Sequence, residues 1–227
     1  MTLKDLEAVV DACTGVAYPA ADRTEAQKQN LANILGVMRF PERMLVRHMQ
    51  AATFLFREIA ERITHGRSAF SNIDVHYSGS GNDAELNRDV ARFAADPAAV
   101  AELKADGEPT GSLPVPVLSI HSINDPQVVV EVQSAYRDAV DRAGTSGDRL
   151  VQAFTDENAH TGQSPPELAA ALDALMQWVE KGVKPTPQTI AAGCERWRGT
   201  IEGRCSYHPE FSPKPYSTRY YSREASR

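Results

Sequence analysis

The sequence predicts an α/β protein, with a mainly helical first half followed by a parallel β-α-β-α unit. Three observations lead there. Apolar residues recur at helical spacing in residues 3–13, 24–37 and 41–64, and no clear strand appears in the first 110 residues. From residue 114 onward, two short and nearly continuous apolar runs each precede a helical pattern, the order of a parallel crossover unit. With 227 residues, of which 42% are hydrophobic, the chain can build one large domain, or one domain with a small appendage.

The first helix is expected over 3–13, where Leu3, Leu6, Val10 and Cys13 fall near helical spacing and Cys13 reads as a buried or half-buried small hydrophobe. A second spans 24–37, with Thr24 as N-cap and Gln27 at the capping-box position. The longest periodic segment is 41–64. Its stripe comprises Met44, Leu45, His48, Met49, Ala52, Phe56, Ile59, Ala60 and Ile63, with Pro41 in the first turn and Gly66 as the stop. Residues 68–82 read as a loop, and shorter helices come next at about 83–94 and 97–104.

The character changes at 114. Residues 114–121 read as a buried parallel strand bounded by prolines, and Ser122-Ile123-Asn124-Asp125-Pro126 as the loop after it. A helix over 129–143 uses Val129, Val132, Ala135, Tyr136 and Ala139 as its inner face. Residues 150–154 form the next strand, and 155–164 a polar loop holding His160. The last predicted helix is 166–181, with Leu168, Leu172, Leu175, Met176 and Val179 on its packed side and Gly182 at C′. Two parallel strands cannot cover themselves, so a larger sheet is expected beside them, and residues 1–110 do not supply it. The domain reading is therefore 1–110 mainly helical, 111–186 the α/β segment, and 187–227 an irregular tail wrapping the surface and frayed at about 222–227.

Charge excludes some partners. The chain carries 24 basic and 30 acidic side chains, a formal net charge of -6, with no concentrated Lys/Arg stripe, so no nucleic-acid partner is expected. No 18-residue apolar run is present, so no membrane span is expected, and the acidic opening residues do not read as a secretory signal. Cys194 and Cys205 lie in a polar stretch. Either they close a local disulfide, which would mean a periplasmic or secreted protein, or they are free thiols of a cytoplasmic one. Two cysteines eleven apart with His208 nearby do not make a zinc spacing, and no metal or cofactor is expected.

Asp125 and His160 carry the chemistry. Each sits just past a strand that a helix follows, so both belong at the edge of the sheet where strand C-termini open into loops. A histidine abstracts a hydroxyl proton near neutral pH, and a carboxylate on its other nitrogen fixes the tautomer. Asp156 and Glu157 are alternative carboxylates close to His160 in sequence, and Asp125 is preferred on geometry. His65, His76 and His121 stay unassigned, although His121 lies at the mouth of the Asp125 loop. Residues 114–186, through Pro116-Val117-Leu118-Ser119-Ile120-His121-Ser122-Ile123-Asn124-Asp125-Pro126 and Asn158-Ala159-His160, resemble the C-terminal part of α/β-hydrolase-fold serine hydrolases. The resemblance implies Asp125 as the triad acid and His160 as its base, with residues of about 24–110 resembling the lid some members insert.

The nucleophile is where the chain departs from that family. No strand–Gly-x-Ser-x-Gly–helix elbow precedes Asp125. The nearest text is Ser78-Gly79-Ser80-Gly81-Asn82, where the glycines directly flank Ser80 and no apolar strand leads in. Ser80 is thus a weak nucleophile candidate, read more simply as part of a Gly/Ser loop or lid hinge. The resemblance implies an incomplete α/β-hydrolase-type fold. It would act on a small-molecule ester or acyl substrate, its sheet completed by a second copy or by an N-terminal segment carrying the nucleophile. The alternative is a non-catalytic binding module derived from such an enzyme.

Overall fold

Capping boxes fix where the first two helices begin. In the computed structural model, which describes residues 2–219 and 221, Asp5 N–H donates to Thr2 Oγ1 at 3.2 Å and Thr2 N–H donates to the Asp5 carboxylate at 2.6 Å. This starts α1 (Leu3–Thr14), which ends at Gly15 in the left-handed region. Thr24 and Gln27 repeat the pattern at the start of α2 (Glu25–Met38). Each such cap stabilises by about 1 kcal/mol. Leu6 and Val10 of α1 meet Leu31 of α2 and Leu45 in one buried cluster. Cys13 is exposed, against expectation. The buried place at that end of α1 goes to Thr14, whose hydroxyl is satisfied by Val10 O at 2.7 Å.

The stripe over 41–64 is helical, but not as one regular α-helix. A 3-10 turn, Glu42–Met44, leads into α3 (Leu45–Gln50), then a π turn Ala51–Leu55, α4 (Phe56–Glu58), and a second π turn Ile59–Ile63. Each π turn admits extra residues and rotates the next stretch of helix about the axis. Phe56 and Ile63, expected on the packed stripe, are exposed beyond the first π turn, and Met49 is exposed already in α3. The next helix, α5 (Asp83–Asp89), stops short of the expected 94, because the chain turns extended at Val90. There Arg92 donates to the carbonyls of Asn72 and Val75 at 2.7 and 2.5 Å. Then α6 (Pro97–Gly107) starts on Asp96, which caps Ala98 N and Ala99 N at 2.9 Å each.

The Ser78–Gly81 loop lies against α2 through a contact of two glycines. A Cβ on Gly36 would stand 2.1 Å from Gly79 O. Gly36→Ala is therefore expected to destabilise the first unit by about 2–3 kcal/mol in urea unfolding, the usual cost of a backbone forced apart. A change under about 0.5 kcal/mol would mean the contact is not tight.

The chain forms two compact units, one from the chain up to Glu108 together with Tyr221, the other from Pro109 onward. In the second, β1 (Val117–Ser122) pairs in parallel with β2 (Leu150–Thr155), in register from Val117↔Leu150 to Ser122↔Thr155. The helices α7 (Val132–Arg142) and α8 (Ser146–Arg149) make the crossover. Among the described residues the sheet has two strands. Alternation sends Leu118, Val151 and Ala153 to the face covered by α9 (Pro165–Lys181), where Trp178 and Ile190 complete the core. On the opposite face Ser119, His121 and Gln152 all meet Gln133 of α7, between the buried Leu150 and Phe154.

Two sequence expectations are corrected here. The side of α9 that packs is small. Ala170 and Ala171 are buried with Trp178, while Leu168, Leu172, Met176 and Val179 are exposed. Only Leu175 of the expected face joins the core. Residues 187–198, expected as irregular tail, form α10 (Pro187–Arg198), capped by Thr186 over Thr189. Small residues let the two helices approach closely, with Gly193 of α10 facing Ala170 of α9. Cys194, on the buried side of α10, is bonded to Cys205. The frayed end expected at 222–227 lies outside the described residues.

Candidate active site

The shared register of β1 and β2 brings two loops out at the same end of the sheet. Ser122 is level with Thr155, and Ile123 N–H still donates to Thr155 O at 2.9 Å. The loops stay joined one step further, where Asn124 N–H donates to Glu157 O at 3.2 Å and Asn124 Nδ2 to Asp156 Oδ1 at 2.9 Å. Asp125 comes next on one loop and His160 on the other. Their side chains meet, with His160 Nδ1 2.8 Å from Asp125 Oδ2.

The other carboxylate oxygen of Asp125 is equally committed. Oδ1 accepts Gln127 N–H at 2.8 Å and Val128 N–H at 2.9 Å, the turn an Asp-Pro sequence favours. The Asp125 side chain is 4% exposed. Burial pushes its pKa up, but the hydrogen bonds from Val128 N–H, His160 and Gln127 N–H outweigh that and hold it below the ordinary carboxylate range. Ionised, it can only accept, so the proton between them sits on His160 Nδ1. In neutral His160 that leaves Nε2 as the lone-pair nitrogen, on a side chain 36% exposed. An imidazole held this way can take a proton at Nε2 while the carboxylate stabilises the resulting cation.

His121 sits beside this pair. Its Nε2 is 3.0 Å from Val128 O and 3.9 Å from Asp125 Oδ2, and Gln133 Nε2 lies 3.3 Å from its Nδ1. Gln133 Oε1 accepts from Ser119 and Gln152, which orients its amide nitrogen toward the ring. His121 Nδ1 is then the acceptor, and Nε2–H donates to Val128 O. His121 thus braces the turn whose N–H groups hold Asp125.

The remaining candidates go elsewhere. Asp156 accepts from Asn124, while Glu157, 1% exposed, pairs with Arg204 and lies 3.1 Å from Ser206 Oγ, whose one proton has its shorter contact, 2.7 Å, with Glu167 Oε1. Ser80 belongs to the other unit, where its hydroxyl donates to Asp83 Oδ1 at 2.6 Å. That bond, with the N–H groups of Ser80 and Gly79, holds the Asp83 carboxyl below its ordinary range. The Asp83 carboxylate accepts a hydrogen bond from the serine hydroxyl within the loop, and among the described residues no imidazole is bonded to Ser80. Among the described residues, no group of three or more His, Cys, Asp and Glu side chains is placed to hold a metal. The polar residues that sequence reading missed are Gln133, Glu167, Arg204 and Ser206. Of these, Glu167 alone left a local signal, its capping-box spacing from Ser164.

The fold and site define a small mixed α/β domain, mostly helical, in which a two-stranded parallel sheet holds a buried Asp–His pair at one end. No family model matches the chain, and no curated protein or solved structure matches it at a significant level.

Proposed function

We propose that this chain is an acyl or ester hydrolase component of the serine α/β-hydrolase type, supplying the acid and base of a triad whose nucleophile it does not itself carry. The observation that supports this reading most is the 2.8 Å contact of His160 Nδ1 with an ionised, buried Asp125. In the complete site a serine would attack the ester carbonyl. His160 Nε2 would take the serine proton and return it to the leaving alcohol, with Asp125 orienting the ring, and water would release the acyl group. The substrate is a small ester or acyl compound.

The outer edge of β1 is where further strands would join the sheet. With Ile123 N–H turned toward β2, alternation turns the N–H and C=O of Leu118 and Ile120 away from it. No described residue bonds them there. The exposed Leu168, Leu172, Met176 and Val179 of α9 support the same view of a layer that continues, in a second copy or in a longer chain. The Cys194–Cys205 disulfide supports an oxidising compartment, periplasmic or extracellular. Among the described residues no helix is long and apolar enough to cross a membrane.

The test is turnover of a short-chain aryl ester. Slow hydrolysis, with His160 Nε2 taking the proton of an attacking water in place of the absent serine, that Asp125→Asn and His160→Ala both remove is the expected result, with no serine labelled by an organophosphonate. Label on Ser80 would place the nucleophile in this chain and overturn the assignment. A second reading, a non-catalytic binding module that kept the two loops, is favoured by the bond that commits Ser80 to Asp83. Complete absence of turnover would select it.

A further inference from the structure

One short stretch of chain holds both ends of the loop that carries His160. Arg204, Cys205 and Ser206 lie beyond α10 in an irregular segment. Before the histidine, Arg204 pairs with Glu157, and Ser206 Oγ lies 3.1 Å from Glu157 Oε1. Asp156 N–H donates to Ser206 O at 2.8 Å. After the histidine, Ser164 Oγ donates to Arg204 O at 2.5 Å. Glu167 accepts Ser164 N–H through one oxygen and Ser206 N–H through the other, each at 2.7 Å. Residues 158–163 lie between these tethers, His160 among them, and Gln163 Nε2 donates to Ser122 Oγ at 2.9 Å.

The two carboxylates are the reason this stretch must stay in place. Glu157 is 1% exposed and Glu167 is fully buried. A buried carboxylate without its partners is strongly unfavourable, so each holds residues 204–206 against the loop. Glu157 has a further reach, since its carbonyl accepts Asn124 N–H, next to Asp125. On its far side this stretch is held by Tyr207, which bridges Thr155 and donates its hydroxyl to Glu167 O at 2.8 Å, and by His208 N–H, which donates to Phe154 O at 2.8 Å; on its near side the hold passes through the residue between Arg204 and Ser206. Cys205 is bonded to Cys194, which is fully buried on α10, where Gly193 packs on Ala170.

We infer that Glu157 is a positioning residue for His160, and that the Cys194–Cys205 disulfide is the anchor on the Arg204 side of this stretch, keeping Arg204 on Glu157, so that reduction loosens the acid–base pair. This rests on the Asp125–His160 reading. Dithiothreitol would deliver two electrons and two protons, opening the bond to two thiols while closing to its own cyclic disulfide. The freed segment regains the conformations the cross-link removed. Arg204 then leaves Glu157 part of the time, and His160 moves off Asp125.

The experiment tracks the His160 Nδ1–H proton by NMR in a Cys13→Ser background, which removes the exposed free thiol. Amide exchange of residues 158–163 is measured alongside. The oxidised protein is expected to show a strongly deshielded Nδ1–H signal that Asp125→Asn removes. Dithiothreitol, the Cys194→Ser/Cys205→Ser double variant and Glu157→Ala are each expected to broaden or abolish it and to speed amide exchange at least about tenfold. Glu157→Gln, which can still accept from Arg204, is expected to fall between, and dithiothreitol should add nothing to the double variant. An unchanged signal and unchanged exchange after reduction overturn the inference while leaving the Asp–His pair standing. Absence of the signal in the oxidised protein, or its survival in Asp125→Asn, overturns the pair and this inference with it.

Discussion

Asp125→Ala is expected to destabilise the second unit by about 3 kcal/mol in urea unfolding, the largest effect of any single substitution at the site. The side chain accepts three hydrogen bonds, from Gln127 N–H, Val128 N–H and His160 Nδ1, and alanine strands all three donors. Asp125→Asn keeps an acceptor for the two backbone donors, so its cost should be nearer 1 kcal/mol. Its effect on chemistry is larger. The amide presents a donor to His160 and favours the wrong tautomer, which in a working triad lowers turnover by about 10⁴-fold.

The same residue sets an acid limit on stability. Its carboxyl titrates below the ordinary range when folded and at about 3.9 when unfolded. A group whose pKa is depressed by folding contributes stability that is complete above the unfolded value and is lost as pH falls through the folded one. Stability of the second unit is therefore expected to be level near neutral pH and to decline below about pH 4. Asp125→Asn should flatten that decline. Identical acid curves for the two proteins would mean that the hydrogen bonds to Asp125 do not hold in solution.

Removing the disulfide is the second large effect. Cys194 and Cys205 close a loop with a sequence separation of 11. Loop-closure entropy for a ring of that size puts the loss at about 3 kcal/mol. The Cys194→Ser/Cys205→Ser protein is expected to show it as a lower urea midpoint for the second unit alone, because neither cysteine lies in the first. A midpoint equal to that of the oxidised protein would show that α10 and the Glu167 contacts hold residues 204–206 without the cross-link.

Local sequence carried the helix starts well, because a cap is a contact over three residues. Thr24 and Gln27 form the bond their spacing suggests. The parallel pair was legible for a related reason, since a short apolar run with a helix after it has few other uses. The faces of helices were harder. In α9 the bulky residues are exposed, while alanines pack against a glycine of α10, so side-chain size pointed to the wrong side. Between Ala51 and Ile63 two π turns broke the 3.6-residue period on which the predicted stripe depended.

The sequence by itself determined that two strands would run parallel and that Asp125 and His160 would each come after one of them, because apolar runs and their flanking loops are local patterns. Only the tertiary structure decided that Asp125, rather than Asp156 or Glu157, meets the imidazole. It also decided that Glu157 is held by Arg204 and Ser206 from the far end of the chain. Those choices turn on burial and on which carboxylate finds which donor, and both depend on residues brought together across 32 to 49 positions of sequence.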